Sequence, residues 1–270
     1  MTSNLLESNV ESLLSAALAD AEGTVYVINP SAETFEAAVD VIADAEDVSV
    51  RLLGDERMLK DVLGDFLIAS TAADLVDADR LELRGYDEPS NTLIVTDSAV
   101  MAVVSAGDHV AGLATDDGRF VESAGQQYES IWEAAKPFNL RTPPISRVRD
   151  SLNEEIGADV AGDFDGVLAS LETARGDGDG LDEVTISLLV AAKNQELLYD
   201  ISKWGEDVGI ASKATFSRTK TRLEELGLID TEKVPIDVGR PRLRLVLGDD
   251  RLRDADTDEL ANVAQSLLAS

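Results

Sequence analysis

The sequence predicts an α/β domain built on a mixed β-sheet, followed by a smaller helical domain that ends in a pair of strands. Three observations lead to this prediction. In the first half of the chain, short runs rich in Val, Ile and Leu alternate with amphipathic segments of helical period. Toward the end of that half, apolar runs follow one another closely, which indicates neighbouring strands of a mixed sheet. The last third has several helical segments before two strands of alternating pattern.

The charge of the chain is strongly one-sided. Its 270 residues include 53 Asp and Glu but only 23 Lys and Arg, which gives a formal net charge of −30 at pH 7. The acidic residues are spread through a chain that is 44% hydrophobic, so a disordered acidic tail does not account for them. We interpret the charge as adaptation to the cytoplasm of a halophilic cell, where molar salt shortens the Debye length to about 3 Å. An acidic surface for a basic partner is the alternative.

Composition also disfavours several classes of site. The chain has no Cys, so it offers no disulfide and no thiolate metal site. Its one His, His109, leaves little material for zinc binding or for His-based catalysis, and we expect neither a cofactor nor a metal. We expect no membrane span, because no run of about 18 apolar residues occurs. We expect no signal peptide either, because the acidic start lacks a cationic region.

The elements of the first domain follow from apolar periodicity. Helices are predicted at 4–20, 32–45, 54–77 and 122–138. Strands are predicted at 24–30, 48–53, 80–86, 91–97, 99–107 and 109–115. Ser31 follows Asn29-Pro30 and is placed to cap the helix after it.

Two Pro-rich or Gly-rich segments divide the chain. Residues 140–144 break the periodicity, and residues 175–180 read as a flexible linker. The second segment contains Asp-x-Asp-Gly but lacks the later Glu of a calcium loop. Between the two, short helices are expected at about 145–156 and 163–174. The predicted divisions are an α/β domain at 1–140, a helical linker at 141–180, a DNA-reading domain at 181–248 and a C-terminal helix in 249–270.

A series of short motifs follows a helix predicted at 182–193. The motifs are, in chain order, Trp204-Gly205, Val208-Gly209-Ile210, Ser212 and Leu223–Ile229. Gly209 can adopt a positive φ at a tight turn, Ser212 is placed to cap the second helix, and Gly227 is placed to end it. In this order the motifs resemble the helix-turn-helix core of winged-helix regulators. The local charge agrees, because residues 193–244 hold 10 basic and 9 acidic residues whereas 1–180 hold 11 and 36.

The helical period sorts the residues of the second helix into two faces. Phe216, Thr219, Leu223 and Leu226 fall on the inner side. The opposite side and its flanks combine cations, hydroxyls and a small side chain, which are groups that suit contacts with base edges and phosphates. The residues expected to contact DNA there are Ser212, Lys213, Ala214, Thr215, Ser217, Arg218, Thr221 and Arg222.

The segment after this helix predicts a wing. Two strands in 233–247 are joined by a turn at 239–241, and the second strand alternates Arg with Leu. Arg240 at the tip, with Arg242 and Arg244 after it, is expected to contact a phosphate or the minor groove. The alternative is that these are ordinary surface charges.

The first domain resembles the phospholipase-D-like domain of archaeal TrmB-type regulators. The resemblance rests on the order of its strands and on the segments VTDSAVMAVVSAG (95–107) and YESIWEAA (128–135). Active phospholipase-D-like enzymes carry His-x-Lys-x4-Asp. Asp97 matches the Asp, but Ser90 stands at the His position and Thr92 at the Lys position. The resemblance therefore implies a binding or dimerisation domain and not an enzyme.

Over its whole length, with the α/β domain first and the winged helix last, the chain resembles the TbsP-type transcription regulators of haloarchaea. The resemblance implies a cytoplasmic regulator that binds double-stranded promoter DNA. A non-catalytic module whose winged helix binds a protein partner is the alternative. We expect a homodimer, because helix-turn-helix proteins commonly bind two DNA half-sites as dimers. The helix in 249–270 packs on its own domain or forms the dimer interface.

If a small-molecule effector binds, it is expected at strand ends where helices begin. The candidate residues are Asn29, Ser31, Arg51, Asp55, Arg84 and Asp97. Arg51 and Arg84 lie in otherwise apolar strands, which favours an anionic metabolite. An internal pair with an Asp or Glu is an equally supported alternative.

Overall fold

The computed structural model describes residues 4–19, 21, 23–45, 48–88, 91–107, 109–175, 180–235 and 241–269. The chain forms two compact units. The first comprises Met1–Gly64 and Thr71–Leu140, and the second comprises Asp65–Ser70 and Arg141–Ser270. Among the described residues, no helix combines the length and apolar character needed to cross a membrane.

The first unit alternates strands and helices and then continues with strands. Its elements in chain order are β1 (Leu5–Glu7), α1 (Val10–Leu18), β2 (Thr24–Ile28), α2 (Ala32–Asp44), β3 (Ser49–Gly54), α3 (Glu56–Val62), α4 (Phe66–Asp77), β4 (Leu81–Gly85), β5 (Leu93–Val95), β6 (Val100–Ala106), β7 (His109–Thr115), α5 (Gly118–Ala134) and β8 (Lys136–Pro137). The residues of α4 up to Ser70 belong to the second unit.

The strands of the first unit form one mixed sheet, as the sequence predicts. The described strands follow the order β1-β7-β6-β5-β2-β3-β4-β8. Strands β2, β3 and β4 are parallel, and the remaining pairs are antiparallel. The apolar side chains of β2 and β3 are buried on both faces, which explains why these two strands read as nearly continuous apolar runs.

Helix α5 covers part of one face of this sheet. Ile28, Leu53 and Val95 point to it from the sheet, and Tyr128 and Trp132 meet them from the helix. The caps of the helices follow from local sequence. Ser31 Oγ accepts a hydrogen bond from the backbone N–H of Thr34 at the start of α2, which confirms the predicted cap.

The amino-terminal segment differs from the prediction of one helix at 4–20. Asn9 accepts a hydrogen bond from the backbone N–H of Ser12 at 2.8 Å and so begins α1 at Val10. The residues before it form β1, where Leu6 pairs with Ala111 and is 69% exposed. Helical periodicity failed here because the competing interaction is a strand about 100 residues away.

The second unit contains nine described helices and strands after residue 140. They are α6 (Ile145–Glu155), α7 (Ala158–Ala169), α8 (Glu183–Lys193), α9 (Leu198–Val208), α10 (Lys213–Glu225), β9 (Ile229–Val234), β10 (Arg242–Leu247), α11 (Asp250–Arg253) and α12 (Thr257–Leu268). Strands β9 and β10 are antiparallel.

One hydrophobic core holds this unit together, and α8 lies at its centre. Every residue of α8 from Val184 to Ala192 is buried. The cluster includes Val148 of α6, Phe164 of α7 and Leu260 of α12 together with the side chains of α8, α9, α10 and β10. Residues 141–175 and the carboxyl-terminal helix therefore share the core of the helix-turn-helix segment.

Helices α9 and α10 approach closely because of one glycine. A Cβ atom on Gly205 would lie 2.3 Å from Cζ of Phe216, which is fully buried. Gly209 ends α9 with φ of 99°, a left-handed conformation that glycine adopts without strain. The pair Trp204-Gly205 thus combines a buried indole with the one side chain small enough for the contact.

The contact predicts opposite effects for two helical glycines. Gly205→Ala should lower the free energy of unfolding by about 1–3 kcal/mol, because the added methyl overpacks the core. Gly162→Ala in α7, where an added Cβ meets open space, should raise it by up to about 1 kcal/mol through helix propensity. Urea unfolding at 2 M KCl measures both. A stabilising Gly205→Ala variant would contradict the close approach.

Candidate functional site

The amino end of α10 is built by a cap. Ser212 is extended, with φ of −67° and ψ of 152°, and its Oγ accepts from the backbone N–H of Thr215 at 3.2 Å. The same oxygen lies 3.0 Å from Thr215 Oγ1. This confirms the cap expected at Ser212. It also fixes where the helix begins and so fixes the direction of every side chain after it.

The outer face of α10 is open to solvent. Phe216 and Leu223 are buried on the inner side. The residues predicted to contact DNA lie on the outer side or its flanks, and all but the partly buried Thr215 are exposed: Ser212, Lys213, Ala214, Ser217, Arg218, Thr221 and Arg222. The helical period alone accounts for this placement.

One member of the predicted inner stripe is misplaced. Leu226 is 45% exposed, because α10 ends at Glu225 and Leu226 is its cap residue. Gly227 then takes φ of 74° and turns the chain, so that Leu228 enters the core instead. The expectation that Gly227 ends the helix is confirmed.

Most lysines around α9 and α10 are paired with carboxylates. Lys213 Nζ lies 2.9 Å from Glu206 Oε2, and the backbone N–H of Lys213 also donates to Glu206. The hydrogen bond from Lys213 is the main reason that the pKa of the Glu206 carboxyl is lowered. Lys203 pairs with Asp207 at 2.5 Å. These ion pairs put negative charge beside the cations of the outer face.

Lys220 of α10 is paired in a similar way. Lys220 Nζ lies 2.8 Å from Glu224 Oε2, and only 12% of the Lys220 side chain is exposed. Glu224 in turn accepts from Thr231 Oγ1 at 2.9 Å. Lys220 is therefore part of the packing between α10 and β9, and it does not extend into solvent.

The two arginines of α10 differ from these lysines. Arg218 lies 3.4 Å from Thr215 Oγ1 through one guanidinium nitrogen. Neither Arg218 nor Arg222 forms an ion pair with any residue that the structure describes. The outer face therefore presents two guanidinium groups that have no described carboxylate to release before they bind an anion.

The arginines of β10 line the side of α9. Arg242 lies 4.6 Å from the ring centroid of Tyr199 and 3.3 Å from Asp200 Oδ1. Burial, followed by the negative charge of Asp200, raises the pKa of the Glu196 carboxyl. The positive charge of Arg244 opposes this rise. Gly239 and Arg240 of the predicted turn at 239–241 lie outside the described residues, which resume at Pro241.

In the first unit, Arg51 belongs to an internal network. Its guanidinium lies 3.3 Å from Glu82 and 3.2 Å from Glu129, and it donates to Tyr26 Oη at 2.9 Å. Tyr26 also donates to Glu129. Burial, followed by the bond to Glu129, raises the pKa of the Tyr26 phenol. Of the two alternatives for Arg51, the internal ion pair is therefore the one observed. The positive charge of Arg51 is balanced by Glu82 and Glu129.

Arg84 also binds within its own unit. It donates to the carbonyl oxygen of Trp132 at 2.6 Å and to that of Ala135 at 3.4 Å, and it lies over the indole of Trp132 at 4.5 Å. The carbonyls at the end of a helix lack partners inside the helix. Arg84 supplies donors to the end of α5. The sequence left an anionic metabolite and an internal Asp or Glu as alternatives for Arg84, and the structure shows the carbonyls of a helix end as its partners.

The remaining predicted ligand residues lie at opposite ends of the sheet. Asn29, Ser31 and Asp55 follow the carboxyl ends of β2 and β3, where Ser31 and Asp55 cap helices. Asp97 follows β5, which runs antiparallel to β2, so it lies near the amino end of β2. The expectation of a single rim that includes Asp97 is wrong, because the sequence does not reveal the direction of β5.

The cleft at the end near Asp97 was not anticipated. It has a volume of about 740 Å³, and α5 forms one wall while β2 and β5 form the other. Its lining residues are Thr24, Tyr26, Val95, Thr96, Asp97, Gly125, Gln126, Glu129, Ser130 and Glu133. Three of these are carboxylates and none is Lys or Arg. Spacing of i, i+4 and i, i+3 along α5 was the available signal, since Gln126, Ser130 and Glu133 follow one side of that helix.

Of the three positions that correspond to the His-x-Lys-x4-Asp motif of phospholipase-D-like enzymes, the structure describes two, Thr92 and Asp97. Thr92, at the Lys position, donates through Oγ1 to the carbonyl of Asn29 at 2.9 Å. Ser90, at the His position, lies outside the described residues. No group of three or more His, Cys, Asp or Glu side chains suited to holding a metal occurs among the described residues.

Comparison with known proteins adds two family matches. The N-terminal domain of TbsP-like transcriptional regulators matches residues 2–143, and the C-terminal HTH domain of the same regulators matches residues 144–265. A solved structure of TrmBL2, an archaeal chromatin protein described with a novel mode of DNA binding, is 15% identical with a TM-score of 0.37. The match covers 51% of this chain and 54% of that one, so the chain spans about half the length of that relative. No curated protein matches the chain.

Proposed function

The chain belongs to the family of TbsP-like transcriptional regulators, and from this premise we propose that it binds specific sequences in double-stranded promoter DNA through α10. The observation that carries the proposal is the outer face of α10. Arg218 there has neighbours that can read base edges: the hydroxyls of Ser217 and Thr221 and the methyl of Ala214. The closely packed core beneath holds this face rigidly.

Two further features support DNA as the partner over a protein. Arg218 and Arg222 are exposed guanidinium groups that form no ion pair with a described carboxylate. The exposed face of α10 is polar, whereas the centre of a protein interface is depleted of charged residues. A gel shift with promoter DNA at high KCl separates these two functions. We propose no catalytic role for Asp97 or Thr92, since Thr92 is engaged with the backbone of Asn29.

Sequence reading by α10 predicts a selective loss in one variant. Arg218→Ala should weaken binding to the cognate duplex by roughly 5- to 150-fold, which corresponds to about 1–3 kcal/mol for a bidentate contact with guanine. It should change binding to a scrambled duplex much less. The matched control is Arg251→Ala in α11, which removes an exposed arginine that is paired with Asp249. Normal cognate binding by Arg218→Ala at fixed salt would show that the face is misassigned.

The ion pairs of the lysines give the interface an unusual response to salt. DNA binding ordinarily weakens as salt rises, because cationic groups displace counterions from phosphates. Here Lys213 must leave Glu206 to reach a phosphate, and the carboxylate that it leaves behind must gain a cation from solution. The body of net charge −30 also repels DNA until salt screens it. Both effects oppose counterion release.

We therefore expect specific affinity to stay flat or rise between about 0.5 and 2 M KCl, where the Debye length approaches about 3 Å. Glu206→Gln should tighten binding at the low end of this range and make affinity fall more steeply with salt. The control is Asp165→Asn, which removes one carboxylate of the same charge from a pair with Arg149 in the same unit. Fluorescence anisotropy follows binding, and circular dichroism confirms the fold. A steep fall for the wild type with an intact fold would sink the idea.

We further propose that a small metabolite controls the protein from the cleft beside α5, and that this metabolite is uncharged or cationic. The cleft is large enough for one, and its charged lining is acidic. Arg51 and Arg84, which favoured an anion in the sequence, bind carboxylates and carbonyls of their own unit. The residues at the other end of the sheet, Asn29, Ser31 and Asp55, remain a second proposed site.

The proposed charge of the effector can be tested with citrate and glycerol 3-phosphate as anionic probes. Neither should give a saturable rise in Tm at a constant 2 M KCl, because Asp97 and Glu133 repel them from the cleft, while the charge of Glu129 is balanced by Arg51. A saturable rise that persists in the Asp97→Ala variant assigns the anion to another site. A rise that Asp97→Ala changes would show that the cleft accepts anions and would contradict the proposal.

A further inference from the structure

An apolar area lies exposed on one face of the sheet in the first unit. It is formed by β1, β7 and β6, and we call it the neutral face. Its members are Leu6, Ala102, Val104, Ala111 and Leu113. Leu6 is 69% exposed, Leu113 is 51% exposed and Val104 is 44% exposed. Exposure of this size at three neighbouring large apolar side chains is unusual within one sheet face.

Register shows that these side chains share one face. Leu6 pairs with Ala111, and Ala111 pairs with Val104, so the three form a row across the strands. Leu113 pairs with Ala102 in the next row of the same parity. Side chains that are paired across strands point to the same side of a sheet. The five residues are therefore one contiguous surface.

The opposite side of the same strands is covered. A Cβ atom on Gly112 would lie 2.4 Å from Sδ of Met101 and 3.1 Å from Cδ1 of Leu13 in α1. Val110, of the same parity as Gly112, is 7% exposed. One side of these strands thus meets α1. On the other side α5 buries the Val100 end of β6, and no described element buries the exposed side chains of the neutral face. An antiparallel sheet with two apolar faces has a second surface to cover.

The charge of the neutral face sets it apart from the rest of the chain. Strands β6 and β7 contain no Asp, Glu, Lys or Arg, although such residues make up 28% of the chain. In β1, Glu7 has the parity of the covered side, since it pairs with Val110. An apolar surface without charges is costly in a protein that otherwise covers itself with carboxylates, and this indicates that something buries it.

We propose that the neutral face is the interface of a homodimer, in which the neutral faces of two copies pack against each other. A two-fold interface places the same patch on both subunits, so the patch must complement itself. Any surface with the average charge of this chain would bring like charges together. The neutral face brings none together, and a basic partner would instead fit the acidic surface elsewhere. Charge therefore selects a second copy.

The size of the neutral face is compatible with such an interface. Strands β6 and β7, with seven residues each at about 3.4 Å per residue, are about 24 Å long, and β1, with three residues, is about 10 Å long. With strands about 4.8 Å apart, the three strands cover roughly 280 Å² in plan, close to the few hundred Å² of functional apolar patches. A stable interface buries about 800 Å² on each partner, with an apolar centre and a polar rim. The neutral face supplies that centre, and Ala102 and Ala111 permit close packing.

This inference deepens the proposed function, because a helix-turn-helix reader that binds paired half-sites is dimeric. It rests on that function only for its biological purpose. The geometry and the charge of the neutral face do not depend on DNA. The experiment is therefore done on the full-length protein without DNA, so that failure of dimerisation and failure of DNA binding are observed separately.

Light scattering after gel filtration in 2 M KCl tests the interface. The wild type should have twice the mass of one chain at micromolar concentration. Val104→Glu combined with Leu113→Glu should weaken dimerisation at least 100-fold and give monomers, because carboxylates then face each other. Both positions are exposed, so the variant should retain its circular dichroism spectrum. The control Val76→Glu, which alters a 37% exposed position in α4, should remain dimeric.

Cross-linking gives a second measurement, which does not require a variant that weakens the dimer. The chain has no Cys, so Ala111→Cys introduces the one thiol. A bismaleimide of about 10 Å, which matches the spacing of packed sheets, should link two copies of Ala111→Cys and should not link Val76→Cys. A monomeric wild type, a Val104→Glu/Leu113→Glu variant that remains dimeric, or equal cross-linking of both Cys variants would overturn the proposal.

Discussion

Electrostatic repulsion within the chain is the constraint on which the rest of the structure depends. Carboxylates outnumber cations by 53 to 23, so nearly every surface carries negative charge. Two like charges 4 Å apart repel by about 1 kcal/mol in bulk water, and salt reduces this term most at exposed sites. Cations are scarce, and several of them form specific contacts. The first unit uses Arg51, Arg80 and Arg84 inside the fold, and the second places several cations around α10.

The arginines of the first unit show this use at the ends of helices. Arg80 donates to the carbonyl oxygens of Ile42 and Ala45 at the end of α2, and Arg84 donates to those of Trp132 and Ala135 at the end of α5. Neither helix has a basic residue in its own last turn. Residues in β4 and directly before it therefore supply the donors and the positive charge that helix ends favour. These guanidinium groups stabilise the fold and are not available to bind an anionic ligand.

The sequence predicts what depends on local contacts and fails where distant contacts decide. The period of α10 and the cap at Ser212 are local, so the outer face could be predicted before the structure. The partners of Arg51 lie 31 and 78 residues away, at Glu82 and Glu129, and sequence spacing leaves them open. The prediction of where Asp97 lies failed for a related reason, because the direction of β5 depends on its pairing with β2.

The two proposed association surfaces solve the same electrostatic problem in different ways. At the neutral face the chain omits charges, so that two bodies of net charge −30 can approach over a surface that adds no repulsion of its own. At α10 it keeps cations but pairs Lys213 with Glu206, which limits non-specific attraction to phosphates. A dimer carries twice the negative charge of one chain toward DNA that is itself negative. Dimerisation and DNA binding therefore both require that salt screens this repulsion. Salt thus couples dimerisation through the neutral face to DNA binding through α10, even though different units make the two sets of contacts.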